Sequence, residues 1–307
     1  MDRRIAVLVV AAVLALPAGG TAARDAGRVA LGVLGDPARF QQLTGQRSTT
    51  RLVIAGWWQT NFDRIFSSMG PRPMLGINAS TITPAGIANG SGDGYLVALN
   101  QAVARLRGPI YIRPMGEMNG HWNSYCAYNP DGSSRGAAYS TAEFRKAFAR
   151  IYLAVHGGPD ANAALRRLGM PPIRSALTAN DNATVVWNPQ GYGSPDVPGN
   201  SAEAYYPGDA YVDVVGDDLY YINGKAEWAA ADALYRAHPG KPFAFPEWGL
   251  WGLDAPQFVS DMAAFVRAHP RTRLIVYYNG DPGSIFDLAS KPAARAAYRK
   301  LVVPLAG

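Results

Sequence analysis

Eight short apolar runs, each bounded by Gly, Pro or polar residues, recur along the chain at residues 29–35, 51–58, 73–78, 109–115, 184–188, 212–220, 242–246 and 274–278. Their lengths suit strands buried on both faces. Between several of them lie segments with a helical period. Behind Ser140 and Glu143, spaced as a capping box, Phe144, Phe148, Ile151, Tyr152 and Val155 fall on one helical face. Tyr95, Leu99, Ala102, Val103 and Leu106 repeat the pattern, as do Phe258, Met262, Phe265 and Val266 behind Asp254. Strand and helix in alternation call for a parallel sheet covered by helices, and about eight repeats predict an α/β fold, a single (β/α)8 TIM barrel over residues 24–307. The rival is an open doubly wound sheet. Against it, Gly32 and Gly35 have the wrong spacing for a dinucleotide-binding turn and run into Pro37, and no phosphate-binding Gly-x-x-x-x-Gly-Lys-Ser/Thr string occurs.

The first residues form a separate object. Arg3 and Arg4 precede an apolar run over 5–16, followed by Pro17, two Gly and the small residues Thr21, Ala22 and Ala23. Together they predict a secretory signal over 1–23, cleaved near Ala23. The run falls short of the roughly 20 apolar residues that span a bilayer. A secreted or envelope-associated protein without a membrane span is therefore expected. Cys126 is the only cysteine, so no intramolecular disulfide can form, and no His–Asn setting near it suggests an activated thiol. The net charge of +6 is dispersed with no basic block, and nucleic-acid binding is not expected. The chain is expected to act as a monomer.

Two connections are long and follow strands directly, at residues 116–139 and 189–211, both rich in Gly, Asn, Pro, Tyr and Trp. In a barrel these are βα loops at the C-terminal face, where active sites are built. The four His, at 121, 156, 238 and 269, are scattered. His156, His238 and His269 sit at predicted helix ends, where His complements the C-terminal partial charge. His-Glu-x-x-His, clustered Cys/His ligands and Gly-x-Ser-x-Gly are all missing, so neither a metal nor another cofactor is expected. Carboxylates remain. Glu117 lies just past the run 109–115 and Glu247 just past the run 242–246, each followed by an aromatic and a Gly. A barrel brings two such strand ends to one face, and a carboxylate in so apolar a setting is costly to ionise without a purpose.

At these residues the sequence resembles glycoside hydrolase family 26, in the clan of retaining (β/α)8 glycosidases. The resemblance rests on Arg113-Pro114 followed by Glu117-Met-Asn-Gly-x-Trp122, then Val215-Gly216-x-Asp218-x-Tyr220, then Lys241-Pro242 leading to Glu247-x-Gly249. It implies that Glu117 is the acid/base after the fourth strand and Glu247 the nucleophile after the seventh. It also implies that Tyr220 donates a hydrogen bond to the nucleophile. Family members are mostly endo-β-1,4-mannanases, with some acting on β-1,3-xylan or mixed-linkage glucan. Chemistry supports the same division of labour. A retaining glycosidase needs two carboxyl groups about 5 to 5.5 Å apart, one protonated and one ionised, and neighbouring carboxylates split their pKa values. Arg113 is placed to keep the nucleophile charged. One position departs from the family, which usually carries His immediately before the acid/base; Gly116 stands there.

Aromatics are expected to line a sugar groove, since pyranose C–H faces pack on indole. Candidates are Trp122 after the acid/base, Trp57 or Trp58 at the end of the second strand, Trp187 ending the fifth, and Trp248 and Trp251 flanking the nucleophile. Strand alternation allows only one of Trp57 and Trp58 to face the mouth, and Trp57 is taken. Asn119, His121, Asn188 and Asp218 are the candidate hydroxyl partners. The expected activity is retaining, endo-acting hydrolysis of a β-linked polysaccharide such as β-1,4-mannan. The alternatives are a catalytically silent glycan-binding barrel, or a glycosidase of the same fold acting on β-1,3-xylan, mixed-linkage glucan or a microbial exopolysaccharide.

Overall fold

The structure, a computed structural model, describes residues 29–306, and the leader expected over 1–23 lies outside them. In chain order the elements are β1 (Ala30–Leu34), α1 (Pro37–Thr44), β2 (Thr50–Gly56), α2 (Phe62–Ser67), β3 (Arg72–Asn78), α3 (Pro84–Ala88), α4 (Asp93–Arg105), β4 (Ile110–Pro114), α5 (Thr141–His156), α6 (Ala161–Arg167), β5 (Ala183–Trp187), β6 (Val214–Tyr221), α7 (Trp228–Ala237), β7 (Phe243–Leu250), α8 (Pro256–Ala268), β8 (Thr272–Tyr278) and α9 (Pro292–Ala297). All eight strands pair in parallel and in sequence order, and β1 closes on β8. The expected (β/α)8 barrel is what forms. Among the described residues no helix is long and apolar enough to cross a membrane.

Two apolar volumes hold it together. Leu52, Met74, Val186, Val214, Ala244, Leu274 and Val276 fill the barrel interior, each Leu, Met or Val contributing about 1.5–3 kcal/mol on burial. The larger volume lies between strands and helices. It takes the outward residues of the strands, such as Ile112 and Phe245, with the helix faces read from the 3.6-residue period: Tyr95, Leu99 and Val103 of α4, Phe144, Phe148 and Val155 of α5, Phe258, Met262 and Val266 of α8. Ser140 caps α5 by accepting the Glu143 N–H, as its spacing predicts. The three C-terminal His close helices through carboxylates: His156 on Asp213 (2.8 Å), His238 on Glu203 (3.0 Å) and His269 on Asp232 (2.9 Å).

One strand differs from its sequence reading in a way that matters for the site. The apolar run ends at Pro246, yet β7 continues to Leu250. Pairing skips one residue there on both sides, from Gly216↔Ala244 to Asp218↔Glu247 against β6 and from Phe245↔Ile275 to Trp248↔Tyr277 against β8. Proline has no N–H to give a ladder, so it sits in a bulge, and a bulge re-aims the residues that follow it. Gly216 makes room for the ring: a Cβ there would meet Pro246 Cγ at 2.8 Å. Glu247 therefore lies inside β7 rather than beyond it.

The two long loops are knitted to each other over the mouth. Asn119, fully buried, donates to the carbonyls of Gln190 (2.8 Å) and Tyr192 (3.0 Å) and accepts the Gln190 N–H (2.8 Å). Asn200 donates back to the Asn119 carbonyl at 2.9 Å, and Tyr205 accepts the Ala127 N–H at 3.0 Å. Cys126 is buried beside Asn200 and Tyr205, with its sulfur inside this junction.

Candidate active site

Beyond Pro114 the chain turns abruptly. Met115 (φ 50°) and Glu117 (φ 54°) both adopt left-handed backbone, uncommon for residues with a side chain. Hydrogen bonds pin each: Met115 N–H donates to the Ile77 carbonyl at 2.9 Å and Glu117 N–H to the Asn188 carbonyl at 2.7 Å. The turn carries the Glu117 carboxyl into a cavity whose lining includes Ile54, Asn78, Arg113, Tyr125 and Glu247. Glu117 and Glu247, far apart in sequence, thus share one space.

Their surroundings are unequal. Glu247 Oε1 accepts from Arg113, and its Oε2 accepts the Tyr220 hydroxyl at 2.8 Å. The same guanidinium donates to Asp218 and to Asn188 Oδ1, all four groups being buried. Burial disfavours the charge on Arg113, but Asp218, Glu247 and Glu117 outweigh it and hold the proton more firmly than usual. Burial, then the Glu247 charge, keeps Tyr220 protonated far above the ordinary phenol range, so it stays a donor. Glu117 has no cation of its own. Its Oε2 accepts Trp122 Nε1–H and its Oε1 accepts Gln190 Nε2–H, both at 2.7 Å. Burial, with the Glu247 charge added, raises the Glu117 carboxyl above the ordinary carboxylate range against the pull of Arg113 and of these two donors. Asp218 is raised well above that range by burial despite Arg113, and burial pushes Asp217, on the next position of β6, up to about 8. Asp217 accepts the Gly191 N–H at 2.9 Å and so supports the loop that carries Gln190.

Gly116 lies against Arg113. A Cβ added there would meet the guanidinium Nη2 at 2.6 Å and its carbon and Nε at 2.7 Å. The space of a side chain at 116 is occupied by Arg113, which is locked on three partners. Gly116→Ala is expected to destabilise the fold by about 1–3 kcal/mol, the usual cost of overpacking. Urea denaturation reads it, and an unchanged midpoint would show that Arg113 moves aside freely.

The remaining sequence candidates divide. Trp122 is half-exposed on the rim with its ring over Gly120. His121 is partly buried beside it and meets Ser194 Oγ through Nδ1 at 3.1 Å. Trp57, Trp187 and Trp248 do not reach the groove. Trp57 stacks on Tyr95 at 4.4 Å, Trp187 packs on Tyr206 and His238, and Trp248 stacks on Tyr298. The reason is geometric: alternate residues of a barrel strand point to the helix layer, and a Trp there is core. Asn119 is likewise consumed by the loop junction, while Asn188 and Asp218 are partners of Arg113 and are not among the residues lining the cavity of the two glutamates. The exposed aromatics of the mouth are Trp58, Trp122, Tyr192 and Trp251. Trp58, not Trp57, is the accessible member of its pair. Gln190 and Tyr192 escaped the sequence reading; the one signal for them was their place in a long loop after β5. They line a second cavity beside the first, with Asp218, Tyr220, Lys225 and Glu227. Among the described residues no cluster of His, Cys, Asp and Glu is suited to hold a metal ion.

No protein-family model matches the sequence, and no curated protein matches it either. Solved structures do resemble the fold. The Bacillus subtilis mannanase BCman aligns with a TM-score of 0.59 at 19% identity, covering 91% of this chain and 87% of its own. A GH26 β-mannanase from Bacteroides ovatus aligns with a TM-score of 0.56 at 16% identity, over 91% and 86% of the two chains. A Cellulomonas fimi endo-β-1,4-mannanase double mutant gives 0.58 at 17% identity, over 88% and 70%. At these identities the likeness is one of fold, and it extends over nearly the whole barrel.

Proposed function

We propose that the protein is a retaining β-glycoside hydrolase, a divergent relative of the family 26 mannanases, acting in endo fashion on a neutral β-linked polysaccharide such as β-1,4-mannan. The observation that carries this reading is the pair of unlike glutamates in one cavity: Glu247 held by Arg113 and Tyr220, Glu117 buried without a cation of its own. Glu247, ionised, attacks the anomeric carbon while Glu117 passes its proton to the departing glycosidic oxygen, leaving a glycosyl ester on Glu247. Glu117, now a carboxylate, then takes a proton from water as that water displaces Glu247. Net configuration is retained and both carboxyls return to their starting states. Half-exposed Trp122 and Tyr192 beside the cavities supply stacking surfaces for sugar rings. The secretory leader expected from the sequence over residues 1–23 suits a protein that meets such a polymer outside the cell.

The test is a screen of the purified protein on mannan, β-1,3-xylan, mixed-linkage glucan and microbial exopolysaccharides, with product sizing and affinity electrophoresis in parallel. Binding without cleavage on every glycan would replace the enzyme with a silent binding barrel. On a hydrolysed substrate Glu117→Ala is expected to lose about 10²–10⁴-fold in rate, the usual contribution of a general acid. With an aryl glycoside whose leaving group needs no proton, the first step is expected to keep most of its rate. A uniform loss across leaving groups would remove Glu117 from the acid role.

A further inference from the structure

We infer that the end of the barrel opposite the two glutamates docks on an anionic phospholipid bilayer, and this stands whether or not those glutamates cleave a glycan. All eight strands are parallel, so their first residues and the connectors that feed them share one face. Positive charge that looks dispersed along the sequence gathers on one side of that face. Arg47 lies between α1 and β2, Arg72 opens β3, Arg107 lies between α4 and β4, and Arg273 is the second residue of β8. Arg299 and Lys300 follow α9 and join them. Tyr298 donates to Gln46 Oε1 at 2.6 Å and Arg299 Nε to the Leu43 carbonyl at 2.8 Å, both at the corner between α1 and β2. Since β8, β1, β2, β3 and β4 are successive staves, the six cations form a crescent around the start of β1.

No acid in these connectors answers them. Residues 45–49, 68–71, 106–109, 269–271 and 298–306 contain neither Asp nor Glu, and Asp63 of α2 is already paired with Arg105 at 2.8 Å. The acids of this end, Asp181, Asp209 and Asp213, precede β5 and β6 on the other side of the barrel. Arg47, Arg107, Arg299 and Lys300 are exposed. The side chains of Arg47, Arg72, Arg107, Arg273 and Lys300 have no hydrogen bond or ion pair among the described residues. Arg39 and Arg150, by contrast, each hold a carboxylate at 2.7 Å. Helix ends account for only part of the crescent, because a helix dipole favours cations within its last turn. Arg72 and Arg273 lie in strands, and Arg47 is three residues past α1. Like charges gathered without partners repel, and an anionic surface turns that repulsion into attraction.

Two observations select a bilayer as that surface. Five of the six cations are Arg, whose planar fork meets phosphate oxygens in pairs. The described chain also enters at Val29, beside β1 and in the middle of the crescent. The segment expected to act as a secretory leader therefore joins the molecule at this face, with Arg24 and Arg28 against a single Asp25 in between. A leader meets the export membrane first, and the cations surround the point to which it leads. Docked in this way, the barrel turns its mouth and the cavity of Glu117 and Glu247 away from the lipid.

Vesicle cosedimentation of the purified protein tests this without any substrate. Mixed phosphatidylglycerol and phosphatidylcholine vesicles are expected to carry the protein down at low salt, and about 0.5 M salt to release it. Phosphatidylcholine alone should not bind it. Each basic residue near an anionic bilayer contributes about fivefold to partitioning. Arg47→Gln/Arg107→Gln/Lys300→Gln should therefore bind about 100-fold more weakly, and Glu at the same three positions, which covers failure of the Gln variant to fold, should abolish binding. Arg166, Arg167 and Arg174 are equally exposed and unpaired among the described residues, but they lie on α6 and the segment behind it, which reaches the first turn of α4. Gln at these three removes the same charge from another place, and should weaken binding by about threefold at most. Equal losses in the two triple variants would make net charge alone responsible and overturn the inference, as would equal binding to neutral vesicles. Tighter capture by soluble polygalacturonate through the same three residues would also overturn it, assigning the face to an acidic polymer.

Discussion

Glu247→Ala is expected to lower turnover by about 10³-fold or more, a rise of about 4 kcal/mol in the barrier. In the proposed mechanism no other group forms the ester: Glu117 gives the proton, and Asp218 is buried and bound to Arg113. Deleting the carboxylate leaves a small space under the anomeric carbon, flanked by Arg113 and Tyr220. Azide, a slim anion, should enter it and attack from the face that Glu247 used, giving a glycosyl azide of inverted configuration. Detection of that product by NMR, with loss of ordinary hydrolysis, is the expected result. Activity equal to the parent would remove Glu247 from the reaction. The fold should not suffer, since Arg113 keeps Asp218 as its carboxylate partner when Glu247 is withdrawn.

The opposite change is expected to have the largest effect on stability. Arg113→Met fills a similar volume but leaves Asp218 and Glu247 buried without their cation. Breaking a buried pair from one side costs about 3–5 kcal/mol. The pH dependence gives the mechanism away. Burial already raises Asp218 well above its ordinary range, and Arg113 is what opposes it. Without Arg113 the folded chain binds this proton more tightly than the unfolded chain, so stability is present at low pH and lost as pH rises through the folded-state value. Denaturation of the variant should therefore come closer to the parent at acid pH than at neutral pH, and Arg113→Met/Asp218→Asn should recover part of the loss. A deficit independent of pH would mean that Arg113 contributes by packing alone.

Most of the barrel is legible in the sequence because each strand is buried on both faces and each long helix carries one apolar stripe. The apolar runs and the described strands share their middles and differ at their ends. β7 is the instructive exception. Pro246 reads as a terminus because proline ends ladders, whereas here the bulge absorbs it and the strand resumes. Both glutamates were visible as strand-end carboxylates. The aromatics were harder: Trp57 and Trp58 are adjacent and chemically identical, and what separates them is which face of β2 each extends, with Trp57 on Tyr95 and Trp58 in solvent. Gln190 was illegible for another reason. Its contact with Glu117 exists because Asn119 ties two loops that lie far apart along the chain, and no local pattern encodes that tie.

The contact between Arg113 and Gly116 also bears on how such a chain can change over generations. Two codons three apart encode a single interlocking part: with the guanidinium seated on its three partners, a Cβ at 116 would meet it at 2.6–2.7 Å. A larger side chain at 116 would require the guanidinium to shift on those partners. A substitution at either position therefore bears on the other, and the two have to be varied together.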